Sequence, residues 1–154
     1  MKNVIFVLMP FIAFMACGQK MASTFQHAID QGISLKKLDE TYQSALHEDS
    51  AKAAFKGREK EFYAGYVALL KELDQFLKQH HFQWGKTTKC FNRIYLNKNG
   101  EIDYFFFNFK PGEIEKSKEQ DFEKLLGEFI KSYKFPLTNQ HNFSQCSPVI
   151  YSDQ

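Results

Sequence analysis

The chain has 154 residues and carries 20 Lys and Arg against 18 Asp and Glu, a formal charge of +2. That length suits one domain with at most an appendage, and a chain near this size buries roughly 68–70% of its unfolded surface, enough for a core without staples. The near-neutral balance argues against nucleic acid, where a basic face is expected, and gives no polybasic run for a membrane. Seventeen Phe, seven Tyr and one Trp make it unusually aromatic, so several of these rings must serve as core.

Met1-Lys2-Asn3 is a short, singly charged start, and Val4–Ala16 is an apolar run interrupted only by Pro10. A bilayer span takes about 20 residues, so this run has the layout of a secretory signal. Phe14-Met15-Ala16-Cys17-Gly18 follows. It resembles a bacterial lipoprotein lipobox, in which cleavage precedes a cysteine that is then lipidated. Ala16 fits that pattern, while Phe14 stands where Leu is usual. The resemblance implies a signal peptide over residues 1–16, palmitate-type acylation of Cys17, and a protein anchored to the bacterial outer membrane and facing the periplasm. Two other readings stay open: cleavage after Gly18 would release a soluble secreted protein, and an uncleaved anchor is disfavoured by length. Residues 17–24 then form a short polar tether, which would hold the folded body close to the bilayer.

Residues 25–154 read as one α+β domain, with a helical part over 25–82. Ser34 is placed to cap a helix over Leu35–Leu46, whose Leu35, Leu38, Tyr42, Ala45 and Leu46 form one apolar stripe. From Ala51 to His80 the pattern is longer. Phe55, Phe62, Leu69 and Phe76 recur every seven residues, with Tyr66 and Leu73 beside them. Gly57 and Gly65 each weaken a helix by about 1 kcal/mol relative to Ala, so a kink or break can fall near Gly57. The two stripes together predict a helical hairpin rather than an extended coiled coil. Lys52, Lys56, Arg58 and Lys60 read as a solvated helix face, with contact to anionic headgroups as the other reading.

The remaining part, 83–154, reads strand, tight turn, strand, loop, helix, strand. Lys89–Leu96 alternates, and Asn99-Gly100 is a strong hairpin signal because both residues tolerate positive φ. One face of the hairpin carries Cys90, Asn92, Ile94, Leu96, Phe105, Phe107 and Phe109, the more apolar set and hence the core face. The other carries Phe91, Arg93, Tyr95, Tyr104, Phe106 and Asn108, to be covered by the residue 25–82 helices or left partly open to a ligand. Ser117 and Gln120 form a capping box, and Phe122, Leu125, Leu126, Phe129, Ile130 and Tyr133 make a helical stripe stopped by Phe135-Pro136. Thr138–Ser144 reads as a polar loop, and Pro148 as the start of a last edge strand, Val149–Tyr151.

Phe91–Leu96, Asn99-Gly100, the second strand, the helix, Lys134-Phe135-Pro136 and Val149–Tyr151 together resemble the TonB carboxy-terminal domain, a ββαβ module. The resemblance spans about 60 of the 154 residues. It implies a C-terminal ββαβ unit with a three-stranded antiparallel sheet. The N-terminal helical hairpin read from the two stripes has no counterpart in the bare module and is expected to pack on that unit. It also implies that Val149, Ile150 and Tyr151 bind a protein partner in the cell envelope by strand addition, which an open edge favours through its unpaired donors and acceptors. The chain lacks the Pro-rich spacer of the energy transducers in that family, so coupling to an inner-membrane motor is not expected.

Other chemistry finds little support. Cys90 and Cys146 remain after processing, and in an oxidising periplasm the pair is a candidate disulfide, with free buried thiols as the equal alternative. His27, His47, His80, His81 and His141 form no metal spacing. No Gly-rich phosphate loop, Gly-x-Ser-x-Gly or His-Glu-x-x-His occurs, so neither a cofactor nor catalysis is expected. The alternative function is small-molecule or lipid binding by the aromatic face of Tyr95, Tyr104 and Phe106.

Overall fold

The computed structural model describes residues 20–153; Cys17 and the apolar run before it lie outside them. Met21–Thr24 forms β1, Phe25–Asp30 α1, Leu35–Thr41 α2, Gln43–Ser44 β2 and Glu59–Gln79 α3. Thr88–Leu96 is β3, Ile102–Phe109 β4, Lys116–Ser132 α4 and Phe143–Tyr151 β5. The strands make one five-stranded mixed sheet in the order β1-β4-β3-β5-β2. The expected three-stranded antiparallel sheet is therefore overturned: β3 does pair antiparallel with β4 and β5, but β1 adds parallel to β4 and β2 parallel to β5.

The central hairpin follows its alternation. Tyr95 faces Tyr104 and Cys90 faces Phe109, and one irregularity between Tyr95 and Leu96 absorbs the extra residue Asp103. The turn closes with the Gly100 amide donating to the Asn97 carbonyl at 2.9 Å. Gly100 sits at φ +85°, and an added Cβ would lie 2.7 Å from the Phe135 carbonyl oxygen. Only glycine meets both demands.

Two additions correct the N-terminal reading. Met21–Thr24, expected as tether, is the strand β1, so the chain between Cys17 and the sheet is far shorter than residues 17–24. Ser34 does cap α2, accepting from the Lys37 amide, but the helix ends at Thr41 rather than Leu46. Tyr42 turns extended there, and the Ala45 amide donates to the Ser144 carbonyl at 2.8 Å, placing β2 beside β5. The break near Gly57 is found, at φ +75°, so α3 starts only at Glu59.

Among the described residues the expected helical hairpin does not form. α3 and α4 cover the face of Cys90, Ile94, Phe105, Phe107 and Phe109, where Phe62, Leu69, Leu73 and Leu77 meet Phe122, Leu126 and Ile130 in the main core. Gly65 of α3 lets the Phe135 ring approach to where a Cβ would stand 2.9 Å away. α1 and α2 instead cover the opposite face, where Ala28 and Tyr42 pack on Tyr95 and Phe106. An apolar stripe shows that a helix is half-buried; it does not say on which side of a sheet. α4 begins at Lys116 with Glu115 before it and no side-chain cap, so Ser117 lies inside the first turn and the expected capping box is absent.

β5 is longer than expected. It runs from Phe143, taking in residues expected as loop, and Pro148 lies in its middle rather than at its start. Its far end is fixed by Asp153, whose carboxylate accepts from the Trp84 and Gly85 amides at 2.8 and 2.7 Å, while Tyr151 stacks on Trp84. The Gly85 and Trp84 amides hold the Asp153 carboxyl below its ordinary value.

Two stability predictions follow from these contacts. Gly100→Ala, strained in φ and blocked by backbone, loses about 2–3 kcal/mol, lowering the thermal midpoint by about 4–12 °C. Gly57→Ala, strained in φ but open around it, loses about half as much; equal losses would reject the role given to Phe135. For Asp153, a carboxyl with a lowered folded pKa contributes fully above the unfolded value, near 4, and loses that contribution as pH falls through the folded value. Asp153→Ala should therefore lower the midpoint at pH 7 and change it little near pH 2, as read by melts across that range.

Candidate functional site

The backbone of β5 decides what its outer side can offer. The Ser144 carbonyl accepts from Ala45 on the side away from β3. In an antiparallel strand the donor and acceptor of one residue share a side and successive residues alternate. Cys146, Pro148 and Ile150 therefore turn their main-chain groups outward with Ser144, whereas Gln145, Ser147, Val149 and Tyr151 face β3. The ladder with β3 runs unbroken through Pro148; a residue without an N–H fits there because its nitrogen points outward. Among the described residues no strand pairs with that outer side beyond Ser144.

Two apolar shelves flank the open edge. On the core-face side, a hollow of about 460 Å³ lies between α3 and β5, lined by Tyr63, Val67 and Leu70 on one wall and Ser147 and Val149 on the other, with Pro148 and Ile150 at its rim. On the opposite face α1 and α2 stop short, and Phe91, Pro148 and Ile150 bound a second hollow of about 350 Å³ with Lys89, Asn108 and Lys110. The described residues include four large exposed hydrophobics: Ile29 at 51%, Tyr63 at 63%, Phe91 at 38% and Ile150 at 65%. Three of the four stand around this one edge, which separates it from scattered surface apolarity.

The three residues expected to bind a partner divide accordingly. Ile150 offers both main-chain groups and an exposed side chain. Val149 is half-buried toward α3, and Tyr151 is buried on Trp84 with its hydroxyl accepting from Asn92 Nδ2 at 2.6 Å. Sequence reasoning read Pro148 as suiting an edge, at the start of the strand, but missed Cys146 as an edge position and Tyr63 and Phe91 as flanks. Pro148 within a nine-residue strand was the available signal, since it marks an unpaired side.

The aromatic face expected as a ligand site is largely closed. Tyr95 and Phe106 are fully buried under α1 and α2. The Tyr95 hydroxyl donates to Asp39 at 2.8 Å and the Tyr42 hydroxyl to Asp103 at 2.7 Å; burial, followed by these carboxylates, pushes both phenols above their ordinary range. Tyr104 stays half-buried and lines a hollow with Met21, His27 and Ile33.

Cys90 and Cys146 are free thiols. Cys90 stands opposite Val149 while Cys146 stands opposite Arg93, so they differ by three positions in register and point to opposite faces. That separation exceeds the roughly 7 Å a disulfide spans. Burial pushes the Cys90 thiol up to about 12, which leaves it a poor nucleophile. Cys146 is exposed, accepting from Arg93 Nε at 3.3 Å. Among the described residues no group of three or more His, Cys, Asp or Glu side chains is placed to hold a metal ion, and no helix is long and apolar enough to cross a membrane. Comparison with family models, with curated proteins and with solved structures finds no match.

The thiols give a direct check on the register. A maleimide reagent should label Cys146 in the native protein and Cys90 only after denaturation, with no reductant needed for either, as read by peptide mapping. Labelling of neither in unreduced denaturant would mean a bond that this strand alignment forbids.

Proposed function

We propose that this chain is a non-catalytic lipoprotein of the bacterial envelope, anchored through Cys17, that binds a protein partner by taking an extended segment of it along the outer edge of β5. The observation that carries the reading is the coincidence of an unpaired strand edge with three of the four exposed hydrophobics of the described residues. The Cys146 and Ile150 amides and the Cys146, Pro148 and Ile150 carbonyls are the main-chain groups available to such a segment, while Tyr63, Val67 and Leu70 on one side and Phe91 on the other receive its alternating side chains. The TonB-like strand, helix, strand order supports the same mode, and the lipobox-like Phe14–Gly18 supports the anchoring.

Ile150→Pro removes the outward amide and, like Pro148, spares the ladder with β3; Ile150→Ala trims the side chain and keeps the amide. With a photo-crosslinker at Tyr63 in cells, a discrete protein adduct should weaken about three- to tenfold in Ile150→Pro, the worth of one or two hydrogen bonds, and less in Ile150→Ala. An adduct equally strong from a crosslinker at Ile29, or one untouched by Ile150→Pro, would reject strand addition. Separately, Cys17→Ala should shift the protein out of the membrane fraction; unchanged partitioning would reject lipidation.

A further inference from the structure

The fold begins almost where the proposed anchor ends. Cys17 precedes Lys20 by three residues, so an acyl group there lies within about 11 Å of Lys20 along the chain. Lys20 is held at one end of the sheet: its Nζ donates to the Ile130 and Lys131 carbonyls at 3.4 and 3.3 Å and stands 3.9 Å from Glu101. This is the end of the β3–β4 turn and of the last turn of α4.

Separate segments bring lysines to that same end. The Lys98 carbonyl accepts from the Asn139 amide, the backbones of Glu101 and Lys134 form an isolated antiparallel β-bridge, and Asn139 Nδ2 donates to the Ala54 carbonyl, two residues before Lys56. Lys56, Lys98 and Lys134 are exposed, as is Lys131, and none forms an ion pair among the described residues. Of the nearby carboxylates, Glu101 is engaged with Lys20 and Asn97 and Asp103 with Tyr42 and Asn97, while Glu128, exposed one turn before Lys131 on α4, is an acid left beside the lysines. At the opposite end Lys78 pairs with Asp74 and Lys116 with Glu119, but Lys86, Lys89 and Lys110 are also there, exposed and without an ion pair among the described residues. The position of the tether, and not charge alone, therefore picks the end that meets the bilayer.

We infer that the turn end of the sheet, through Lys98, Lys131 and Lys134, lies against anionic lipid headgroups, with the opposite end turned away from the bilayer. The inference rests on the acylation of Cys17 proposed above. A tether this short forces some surface near Lys20 onto the membrane, and unpaired lysines beside an anionic leaflet are attracted within a Debye length, about 10 Å at 0.1 M salt. Assembly from the β3–β4 turn and the end of α4 explains why no basic run in the sequence announces the patch. The β3 strand spans nine residues, which separates the two ends by about 26 Å and leaves Ile150, paired with Lys89, far from the headgroups.

The test uses the intact acylated protein in vesicles of phosphatidylcholine and phosphatidylglycerol. A fluorophore is placed through Asn99→Cys at the turn or Thr87→Cys at the far end, each with Cys146→Ser, and quenched by a headgroup-attached nitroxide. Quenching at position 99 should exceed that at 87 several-fold, shrink in phosphatidylcholine alone, and fall in the triple reversal Lys98→Glu, Lys131→Glu, Lys134→Glu. Equal quenching at the two positions, or a contrast indifferent to phosphatidylglycerol, overturns the inference. Mass spectrometry of the same sample separates the two readings: no acyl chain on Cys17 removes both, whereas an acylated Cys17 with equal quenching removes this one alone.

Discussion

A strand edge carries a row of unpaired donors and acceptors, and a folded protein must pair it, cover it or blunt it. This sheet treats its two edges in opposite ways, and much of the rest follows. At one edge β1 is followed directly by α1, and His27 of α1 meets Glu123 of α4 at 2.8 Å, so side chains from both faces close over it. At the other edge β2 pairs with β5 for two residues and then leaves. What remains is a backbone rail from Cys146 to Ile150, with Pro148 as its only blunting device.

The aromatic packing explains why β5 holds its place with one neighbour. Phe143 packs edge-on against Phe55, and Tyr151 lies in the cluster of Trp84 and Phe122 at the strand's other end. Both ends are thus pinned in the main core, and burying such a side chain contributes about 1.5–3 kcal/mol. The middle of the strand is left exposed without risk to its register. Between the pinned ends, Tyr66 and Ser147 hydrogen-bond through their hydroxyls, a polar tie between α3 and β5 at the floor of the hollow.

The legible parts of the fold are those where one local signal decides the outcome. The β3–β4 pairing and the division of its faces follow from strict alternation and from Asn99-Gly100, and the buried stripe of α4 from its spacing. β1 and β2 were not legible, because Met21–Thr24 and Gln43–Ser44 are short and carry no alternating pattern; the free edges of β4 and β5 make them strands. Phe143 and Ser144, the start of β5, read as the end of a polar loop for the same reason, and gain strand form from β3. The placement of α2 had a fainter signal: Asp39 and Asp103 supply acceptors for the hydroxyls of Tyr95 and Tyr42, which buried phenols require. Of the candidate site, Ile150 was legible through the Pro-Val-Ile-Tyr run. Tyr63 and Phe91 were not, because each belongs to an element whose other aromatics are core.

Pro148 also limits what an incoming strand can be. A carbonyl brought opposite its nitrogen finds no donor, and leaving a buried acceptor unsatisfied costs about 1–3 kcal/mol. A second copy of β5 laid antiparallel with Pro148 facing Pro148 would bring two such carbonyls together, so self-pairing in that register is disfavoured despite the apolar flanks. A foreign segment escapes the cost if it turns, bulges or exposes its carbonyl to water at that one position. Few main-chain bonds are then available, those of Cys146 and Ile150 and the Pro148 carbonyl. Affinity in this mode has to come from side chains in the hollows beside Tyr63 and Phe91, and the missing donor at Pro148 sets the register in which those side chains arrive.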